Sequence, residues 1–143
     1  RKGRRLIAVA SGFETKNSRS RESSKLLTYG LTNFDLIEIN KSGEDFDSVD
    51  VWLGKKDFVK VYTKEDIYKI IKKGKKKLLK VKMLYEGPVE APISKDQVLA
   101  KLKIIYDDEL IDEYDLLAKE QVNKVNIFSR LMKSLNYLIW GDV

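Results

Sequence analysis

The sequence of 143 residues contains no cysteine and no histidine, and it has only two prolines. Without cysteine there is no disulfide, no thiolate nucleophile and no cysteine-based zinc site. The lack of histidine removes the commonest general base and the commonest metal ligand. A hydrolase confined to this chain would therefore need lysine or carboxylate chemistry, and we expect neither a metal nor a cofactor.

Long apolar runs are also missing from the chain. The stretch from Leu6 to Ala10 is shorter than the apolar part of a signal peptide, which has about 7–15 residues. No run approaches the roughly 20 apolar residues of a transmembrane helix. The chain begins with Arg1 rather than Met, so we expect residues to precede it in the natural protein.

What the chain has in quantity is charge and apolar side chains. Hydrophobic residues make up 43% and charged residues 35%, a balance that predicts a soluble chain with a real core. The net charge of +6 predicts attraction to an anionic surface. Charge alone does not decide between nucleic acid and anionic lipid.

The first 39 residues have the pattern of one piece of a larger α/β unit. Arg4 to Gly12 is a short β-branched run that ends in glycine, which predicts a buried strand. Thr15 to Arg21 is polar and predicts a turn. From Arg21 to Leu31 the apolar spacing is helical, with the leucines on one face. A strand and a helix alone cannot bury their apolar faces, so this segment needs a partner sheet.

Between residues 40 and 121, short apolar runs alternate with turn signals such as Gly74, Gly87-Pro88 and Asp107-Asp108. Short strands at roughly 8–12-residue spacing indicate a small antiparallel β-sandwich. The predicted strands are Val49–Leu53, Phe58–Tyr62, Ile67–Ile71, Leu78–Tyr85, Gln97–Tyr106 and Leu110–Leu117.

Residues 122–143 return to helical spacing and predict an amphipathic helix. Basic and small polar residues take one face of it, and large apolar residues form a stripe on the other. Periodicity alone leaves open a core helix packed on the sandwich or a helix lying on a membrane surface. The candidate anchor residues are Lys124, Ile127, Phe128, Arg130, Leu131, Met132, Lys133, Leu135, Leu138, Ile139 and Trp140.

A dense basic run extends from Lys69 to Lys82 and holds eight lysines and no acidic residue. Surfaces that bind nucleic acid usually add arginine forks and stacking aromatics, and the dense part of this run has neither. The alternatives are a solvated hairpin face and electrostatic attraction to anionic lipid or an acidic envelope polymer.

Two triplets resemble motifs of the penicillin-recognising serine enzymes, namely Lys41-Ser42-Gly43 and Ser134-Leu135-Asn136. Those enzymes also need a Ser-x-x-Lys nucleophile motif, and no serine here has a lysine three residues later. Acyl-enzyme chemistry cannot run without that pair. We therefore interpret both triplets as chance matches and expect the chain to be inactive alone.

Five segments stand in a distinctive order along nearly the whole chain. They are Arg5-Leu6-Ile7-Ala8-Val9, Ser23-Ser24-Lys25-Leu26-Leu27-Thr28-Tyr29-Gly30, Val51-Trp52-Leu53-Gly54, Ala91-Pro92-Ile93-Ser94-Lys95-Asp96-Gln97-Val98 and the terminal helix. In this order they resemble the C-terminal part of the D-alanyl-D-alanine carboxypeptidases, the low-molecular-mass, penicillin-binding protein 5-like enzymes. No one segment is specific, and the resemblance rests on their collinear order.

The resemblance implies a mainly β fold: a small antiparallel β-sandwich, preceded by a strand–helix remnant of an α/β catalytic domain and followed by a C-terminal amphipathic helix. Its implied domains are residues 1–39 from the serine peptidase domain, residues 40–121 as the β-rich C-terminal domain, and residues 122–143 as the membrane anchor. The catalytic motifs of the family would lie upstream of Arg1.

The parent protein implied by the resemblance is a serine-type carboxypeptidase that trims the pentapeptide stems of peptidoglycan and so affects the cell wall and cell shape. It would lie at the periplasmic face of the bacterial cytoplasmic membrane, held to anionic lipid by its C-terminus. β-Lactams would bind the missing catalytic domain. Nucleic acid is not an expected partner of such a protein.

One substrate contact is implied by the same resemblance. In the family, an arginine seven residues before the first leucine of the Lys-Leu-Leu helix lies at the edge of the active site, and here that position is Arg19. It can bind the substrate's terminal carboxylate, because a planar guanidinium fork meets a carboxylate bidentately. The alternatives are a solvent-facing Arg19 and the neighbouring Arg21.

Two rival functions stay open at this point. One is a non-enzymatic basic module that binds nucleic acid or a protein partner through the Lys69–Lys82 run. The other is a small interaction domain whose terminal helix packs in its own core.

Overall fold

The computed structural model describes residues 5–126 and is built mainly of β-strands. Within that range a long helix comes first, and strands follow it along the chain. A single 3-10 turn at Lys76–Leu78 separates the fourth and fifth strands. The bounds are α1 Lys16–Asn33, β1 Phe34–Asn40, β2 Asp45–Trp52, β3 Phe58–Tyr62, β4 Ile67–Lys72, β5 Leu79–Leu84, β6 Val89–Glu90, β7 Val98–Tyr106 and β8 Glu109–Ala118.

Helix α1 begins earlier than the sequence pattern predicts. The predicted turn at Thr15 to Arg21 is wrong, because Thr15 and Ser18 form a capping box that starts the helix at Lys16. The Ser18 N–H donates to the Thr15 hydroxyl oxygen at 3.1 Å, and the Thr15 N–H donates to the Ser18 hydroxyl oxygen at 3.2 Å. Two N–H groups that have no partner within a helix are thereby satisfied.

The strand predicted over Arg4 to Gly12 is not formed in the described residues 5–12. A β-strand needs a neighbouring strand for its backbone hydrogen bonds. Within residues 5–126 no strand pairs with this segment. All its side chains are exposed, Leu6 included at 42%. Leu6 nevertheless contacts α1 at Gly30, where an added Cβ would lie 2.7 Å from the Leu6 side chain.

All six predicted strands are confirmed, and the structure adds β1 and the short β6. The strands form a two-stranded sheet, β1-β4, and a six-stranded sheet of order β5-β7-β8-β3-β2-β6. Every pairing is antiparallel except β2 with β6. Strand β1 pairs with β4 from Phe34↔Lys72 onward, so this pairing crosses the predicted boundary near residue 40.

The core lies between the two sheets and is formed by alternating residues of the strands. In β2 and β3 the inward positions are valines that are almost fully buried, and the residues between them face solvent. Ile67 of β4 joins Leu102 and Ile104 of β7 in the same buried cluster. The two sheets therefore share one hydrophobic core, which fits a β-sandwich.

One end of the sandwich, which we call the helix end, joins α1, the β4–β5 connection and the β7–β8 turn. The Lys73 N–H donates to the Asn33 carbonyl at 2.8 Å, and the Asp107 N–H donates to the Leu78 carbonyl at 3.2 Å. Asp107 and Asp108 have φ of 53° and 65°, the left-handed conformation that a two-residue type I′ hairpin turn requires. Strand β8 starts at this end.

The opposite end, which we call the loop end, contains the β2–β3 loop and the segment after β8. Strand β8 has ten residues and spans roughly 33 Å, so its last residue lies far from the helix end. The chain then runs beside β3, with the Lys119 N–H donating to the Lys60 carbonyl at 2.9 Å. It reaches the β2–β3 loop, where the Lys55 N–H donates to the Asn123 carbonyl at 2.8 Å.

The shared core makes one prediction about stability. Leu102 is fully buried, so Leu102→Ala removes its packing and leaves a cavity, and we expect a loss of about 2–5 kcal/mol in the free energy of unfolding. Leu110→Ala is the matched control, since Leu110 is 54% exposed and should cost less than about 0.5 kcal/mol. Urea unfolding of the full chain measures both. Equal losses for the two variants would contradict the assigned core.

Candidate functional site

Arg19, the predicted substrate contact, lies in the first turns of α1 with an exposed side chain. The structure distinguishes Arg19 from Arg21, the alternative residue for this contact. Arg21 donates from Nε to Glu22 Oε1 at 2.9 Å, and the bonds from Arg21 and Lys25 lower the pKa of Glu22. Arg19 has no ion pair within residues 5–126, so its guanidinium is available to an external carboxylate.

An apolar groove of about 410 Å³ opens beside α1, at the helix end. Its side chains come from the N-terminal segment, from α1 and from the outer face of the β1–β4 sheet. Ile70 is 67% exposed and Leu36 43% exposed, which is unusual for large aliphatic residues that share one surface. The lining residues are Arg5, Leu6, Gly30, Leu31, Phe34, Leu36 and Ile70. We call this surface the junction face.

The basic run from Lys69 to Lys82 does not form one continuous surface. The side chain of Lys69 contacts two residues of β8. Its Nζ donates to the Tyr114 hydroxyl at 3.0 Å and to the Asp112 carboxylate. The same Nζ lies 5.2 Å from the centre of the Tyr114 ring. Burial opposes its charge, but the bonds from Asp112 and Tyr114 raise the pKa of Lys69 overall. Lys69 is therefore a structural residue that ties β4 to β8.

The exposed part of the run is the turn Lys72–Lys77, which we call the basic turn. Its five lysines are exposed and have no ion pair in the described part of the chain. Farther along, Lys80 donates to Asp108 at 2.6 Å. Because the basic turn lies beside Asn33, at the helix end, it is separated from the segment that leaves the loop end by the length of the sandwich.

Lys124 is the one predicted anchor residue within residues 5–126, and it lies at the loop end. Its Nζ donates to Glu90 Oε1 at 2.8 Å, and its backbone forms a β-bridge with Gly54. The other candidate anchor residues, Ile127 to Trp140, lie outside the described residues. No helix within residues 5–126 has both the length and the apolar character needed to cross a bilayer.

Gly54 lets the outgoing chain cross the β2–β3 loop closely. A Cβ at this position would lie 2.7 Å from a Val51 methyl, 2.8 Å from the Lys56 carbonyl oxygen and 2.9 Å from a Val122 methyl. No side chain fits there without movement. Residues 119–126, which we call the exit segment, are thus held against the loop by close backbone approach as well as by hydrogen bonds.

A charged clamp holds the start of the exit segment. Asp45 of β2 accepts from Lys60 Nζ at 2.6 Å and also from Lys119 Nζ, which in turn donates to the Gly43 carbonyl at 3.0 Å. The bonds from Lys119 and Lys60 lower the pKa of Asp45. Sequence patterns gave no sign of this clamp, because its residues meet only after β8 has returned to β3.

Two exposed aromatic residues, Trp52 and Phe58, also lie at the loop end and were not predicted as functional. Trp52 is 59% exposed and Phe58 is 58% exposed. The alternation of β2 and β3 could have found them, since each directly adjoins a buried valine and so lies on the solvent side of its strand. The candidate residues thus divide between two ends, with Arg19 on the helix that joins the sandwich at one end and Lys124 at the other.

The Lys41-Ser42-Gly43 triplet, which resembles a motif of the penicillin-recognising enzymes, has a local structural role. Ser42 of the Lys41-Ser42-Gly43 triplet lies in the β1–β2 turn, where its hydroxyl donates to the Lys64 carbonyl at 2.7 Å and its N–H donates to Asp66 at 2.8 Å. These bonds stabilise the turn. The second triplet, Ser134-Leu135-Asn136, lies outside the described residues. Within residues 5–126 no group of three acidic side chains is placed to hold a metal ion.

Comparison with known proteins places the chain in a family. The family model for the penicillin-binding protein 5 C-terminal domain matches residues 34–124. The chain is 33% identical over 129 residues to the D-alanyl-D-alanine carboxypeptidase DacD of Salmonella typhimurium, covering 90% of this chain and 33% of that protein. It is 31% identical over 129 residues to DacA of Escherichia coli K12, covering 90% and 32%. The chain thus spans about a third of the length of these curated relatives.

Solved structures give the same likeness. Penicillin-binding protein 5 from Haemophilus influenzae superposes with a TM-score of 0.64 at 29% identity, covering 77% of this chain and 32% of that one. The carboxypeptidase DacD from Francisella tularensis, at 24% identity and a TM-score of 0.56, shares the fold.

The Asp45 clamp predicts a pH dependence of stability. Since the pKa of Asp45 is lowered in the folded chain, the clamp stabilises the fold above the ordinary value of 3.8, and this contribution is lost as pH falls through the folded pKa. Asp45→Asn should lower Tm at neutral pH and reduce the fall of Tm in acid. Thermal unfolding across pH tests this, with Asp35→Asn as the control at an exposed carboxylate. Identical pH profiles for Asp45→Asn and the parent chain would refute it.

Proposed function

Because the chain belongs to the penicillin-binding protein 5 C-terminal-domain family, as the C-terminal part of a D-alanyl-D-alanine carboxypeptidase, we propose that it holds a catalytic domain away from a membrane surface. The observation behind this proposal is the separation of the junction face and the exit segment at opposite ends of one sandwich. A rigid body with attachment points at its two ends acts as a spacer.

On the catalytic side, the proposed partner of the junction face is the rest of the serine peptidase domain, and residues 5–33 form its closing segment. Exposed aliphatic side chains such as Ile70 and Leu36 support this, because burying them against that domain would stabilise both parts. The parent enzyme would release the terminal D-alanine of peptidoglycan stem peptides through an acyl-serine intermediate. In this scheme the chain described here supplies no nucleophile.

Arg19 is proposed as a substrate-positioning residue of that enzyme. Its exposed guanidinium lies on the first turns of α1, without an ion pair among the described residues, whereas Arg21 is paired with Glu22 at 2.9 Å. A guanidinium can bind the terminal carboxylate of a stem peptide through two parallel hydrogen bonds. Arg19 would then hold the substrate while residues elsewhere in the enzyme do the chemistry.

The predicted helix does not begin at residue 122, because residues 122–125 are bonded to the sandwich. On the membrane side, residues 127–143 are proposed to lie on the periplasmic face of the cytoplasmic membrane as a peripheral anchor. Their sequence combines an apolar stripe, including Phe128, Leu131 and Leu135, with basic residues on the other face. Each basic residue near an anionic surface contributes about 1 kcal/mol, and the stripe adds apolar burial. The exit segment supports this location, because its last described residue, Asn126, lies at the loop end, far from the junction face.

The anchor proposal predicts that the full chain floats with vesicles that contain phosphatidylglycerol and that deletion of residues 126–143 abolishes binding. The deletion leaves Val125, whose N–H donates to the Leu53 carbonyl at 2.9 Å, so the sandwich should stay folded. Flotation measures binding and thermal unfolding measures folding. Equal binding by the truncated chain would refute the anchor, and unfolding of the truncated chain would favour a helix packed in the core.

The Arg19 proposal predicts a kinetic defect in the full-length enzyme. Arg19→Gln should lower kcat/KM for a pentapeptide substrate by about tenfold or more, the effect of losing a charge-assisted contact of ~1.5–3 kcal/mol. Arg21→Gln is the matched control and should change kcat/KM little, since Arg21 is engaged with Glu22. The opposite ranking of the two variants would assign the contact to Arg21.

A further inference from the structure

The loop end has an apolar patch formed by the side chains of Trp52 and Phe58. Asp50 of β2 lies directly opposite Phe58 of β3, so their side chains share one face of the sheet. Trp52 lies two residues beyond Asp50 and is therefore on that same face. The two rings are diagonal neighbours beside the β2–β3 loop, and each is more than half exposed.

The backbone around this patch already has partners. The Trp52 carbonyl accepts from the Ala91 N–H at 2.9 Å, and β2 is covered on this side by its parallel pairing with β6. The patch is thus not an open sheet edge that could add a further strand. Its exposed parts are the two aromatic rings, which suit a partner that takes up apolar surface without directional hydrogen bonds.

The exit segment lies directly beside this patch. The Val125 N–H donates to the Leu53 carbonyl at 2.9 Å, so the chain is bonded to the residue that follows Trp52. Only Asn126 separates this bond from residues 127–143, and one extended residue spans at most about 3.6 Å. The segment after Asn126 therefore begins at the loop end, beside the two rings.

The charged groups near the exit segment are ion pairs and one exposed cation, and Asp50, on the face of the two rings, accepts from the Tyr85 hydroxyl at 3.2 Å. Lys124 Nζ bonds Glu90 at 2.8 Å, and Lys56 Nζ bonds Glu120 at 2.5 Å, so both of these carboxylates are neutralised. Lys55, at the tip of the loop, is exposed and has no ion pair within residues 5–126. The loop therefore offers a cation and two aromatic rings at the same end.

We propose that the loop end is itself a membrane-contact surface, in which Trp52 and Phe58 enter the interfacial layer of an anionic bilayer and Lys55 meets its headgroups. Trp52 is favourable at this depth because its ring is apolar and its indole N–H is polar, and Phe58 adds apolar burial. The inference rests on the proposed function, since the terminal segment is what brings the bilayer to the loop. With both the terminal segment and the loop end in contact with the bilayer, the long axis of the sandwich would be held perpendicular to the membrane.

Probes at the two ends of the full chain test this proposal. The chain has no cysteine, so Lys55→Cys and Lys75→Cys each give a single site for an environment-sensitive fluorophore. Vesicles of phosphatidylethanolamine and phosphatidylglycerol are added, with and without brominated acyl chains. The label at position 55 should shift to the blue and be quenched by bromine, and the label at position 75, in the basic turn, should stay water-exposed.

The other outcomes separate the two proposals. If the labelled chains bind vesicles but position 55 stays in water, the loop contact is overturned and the anchor stands. If the unlabelled full chain does not bind vesicles, the proposed anchor fails and the loop contact fails with it. If position 55 is already apolar before vesicles are added, the rings are covered within the protein and the proposal is overturned. Quenching at both positions would mean that the sandwich lies flat, and this too overturns the proposal.

Substitutions give an independent measure. Trp52→Ser and Phe58→Ser should each weaken vesicle binding about fivefold, the effect of burying roughly half of one large side chain. Leu110→Ser is the matched control, because Leu110 is 54% exposed but lies at the helix end, and its affinity should be unchanged. Thermal unfolding checks that all three variants fold. Equal affinities of the Trp52, Phe58 and Leu110 variants would overturn the proposal.

Discussion

The hydrogen bonds that hold the exit segment against β3 and the β2–β3 loop determine the layout of the whole chain. Lys119 bonds along β3, and Asn123 and Val125 bond to the loop, so the chain leaves the sandwich far from where α1 enters it. If the chain instead turned back after β8, both attachment points would lie together. The proposed spacer function and the proposed membrane contact of the loop therefore depend on the same few backbone bonds.

The two ends of the sandwich differ in how their lysines are paired, and the net charge of +6 does not reveal this difference. The lysine run that suggested a single binding surface is divided between a structural residue, Lys69, and the exposed basic turn at the helix end. At the loop end most lysines are paired with carboxylates. No contact among residues 5–126 favours the basic turn as a nucleic-acid site over a solvated turn.

The strands could be predicted because alternation and turn signals are local properties of the sequence. Features that depend on residues distant in the sequence could not be predicted in this way. The N-terminal strand was wrong because its pairing partner is not among the described residues, and β1 was missed because it follows α1 without a turn residue. For the candidate site, Arg19 could be located only through family resemblance. The Asp45 clamp and the burial of Lys69 required β8 to be in place.

Gly54 has a mechanical consequence for a tethered protein. Because it lacks a side chain, the exit segment lies flat across the loop, with bonds on both sides of the crossing, from Lys55 to Asn123 and from Val125 to Leu53. A force applied along the segment would load both of these bonds at once, so that they would have to break together. A bulkier residue would lift the segment and let the same bonds peel apart one at a time.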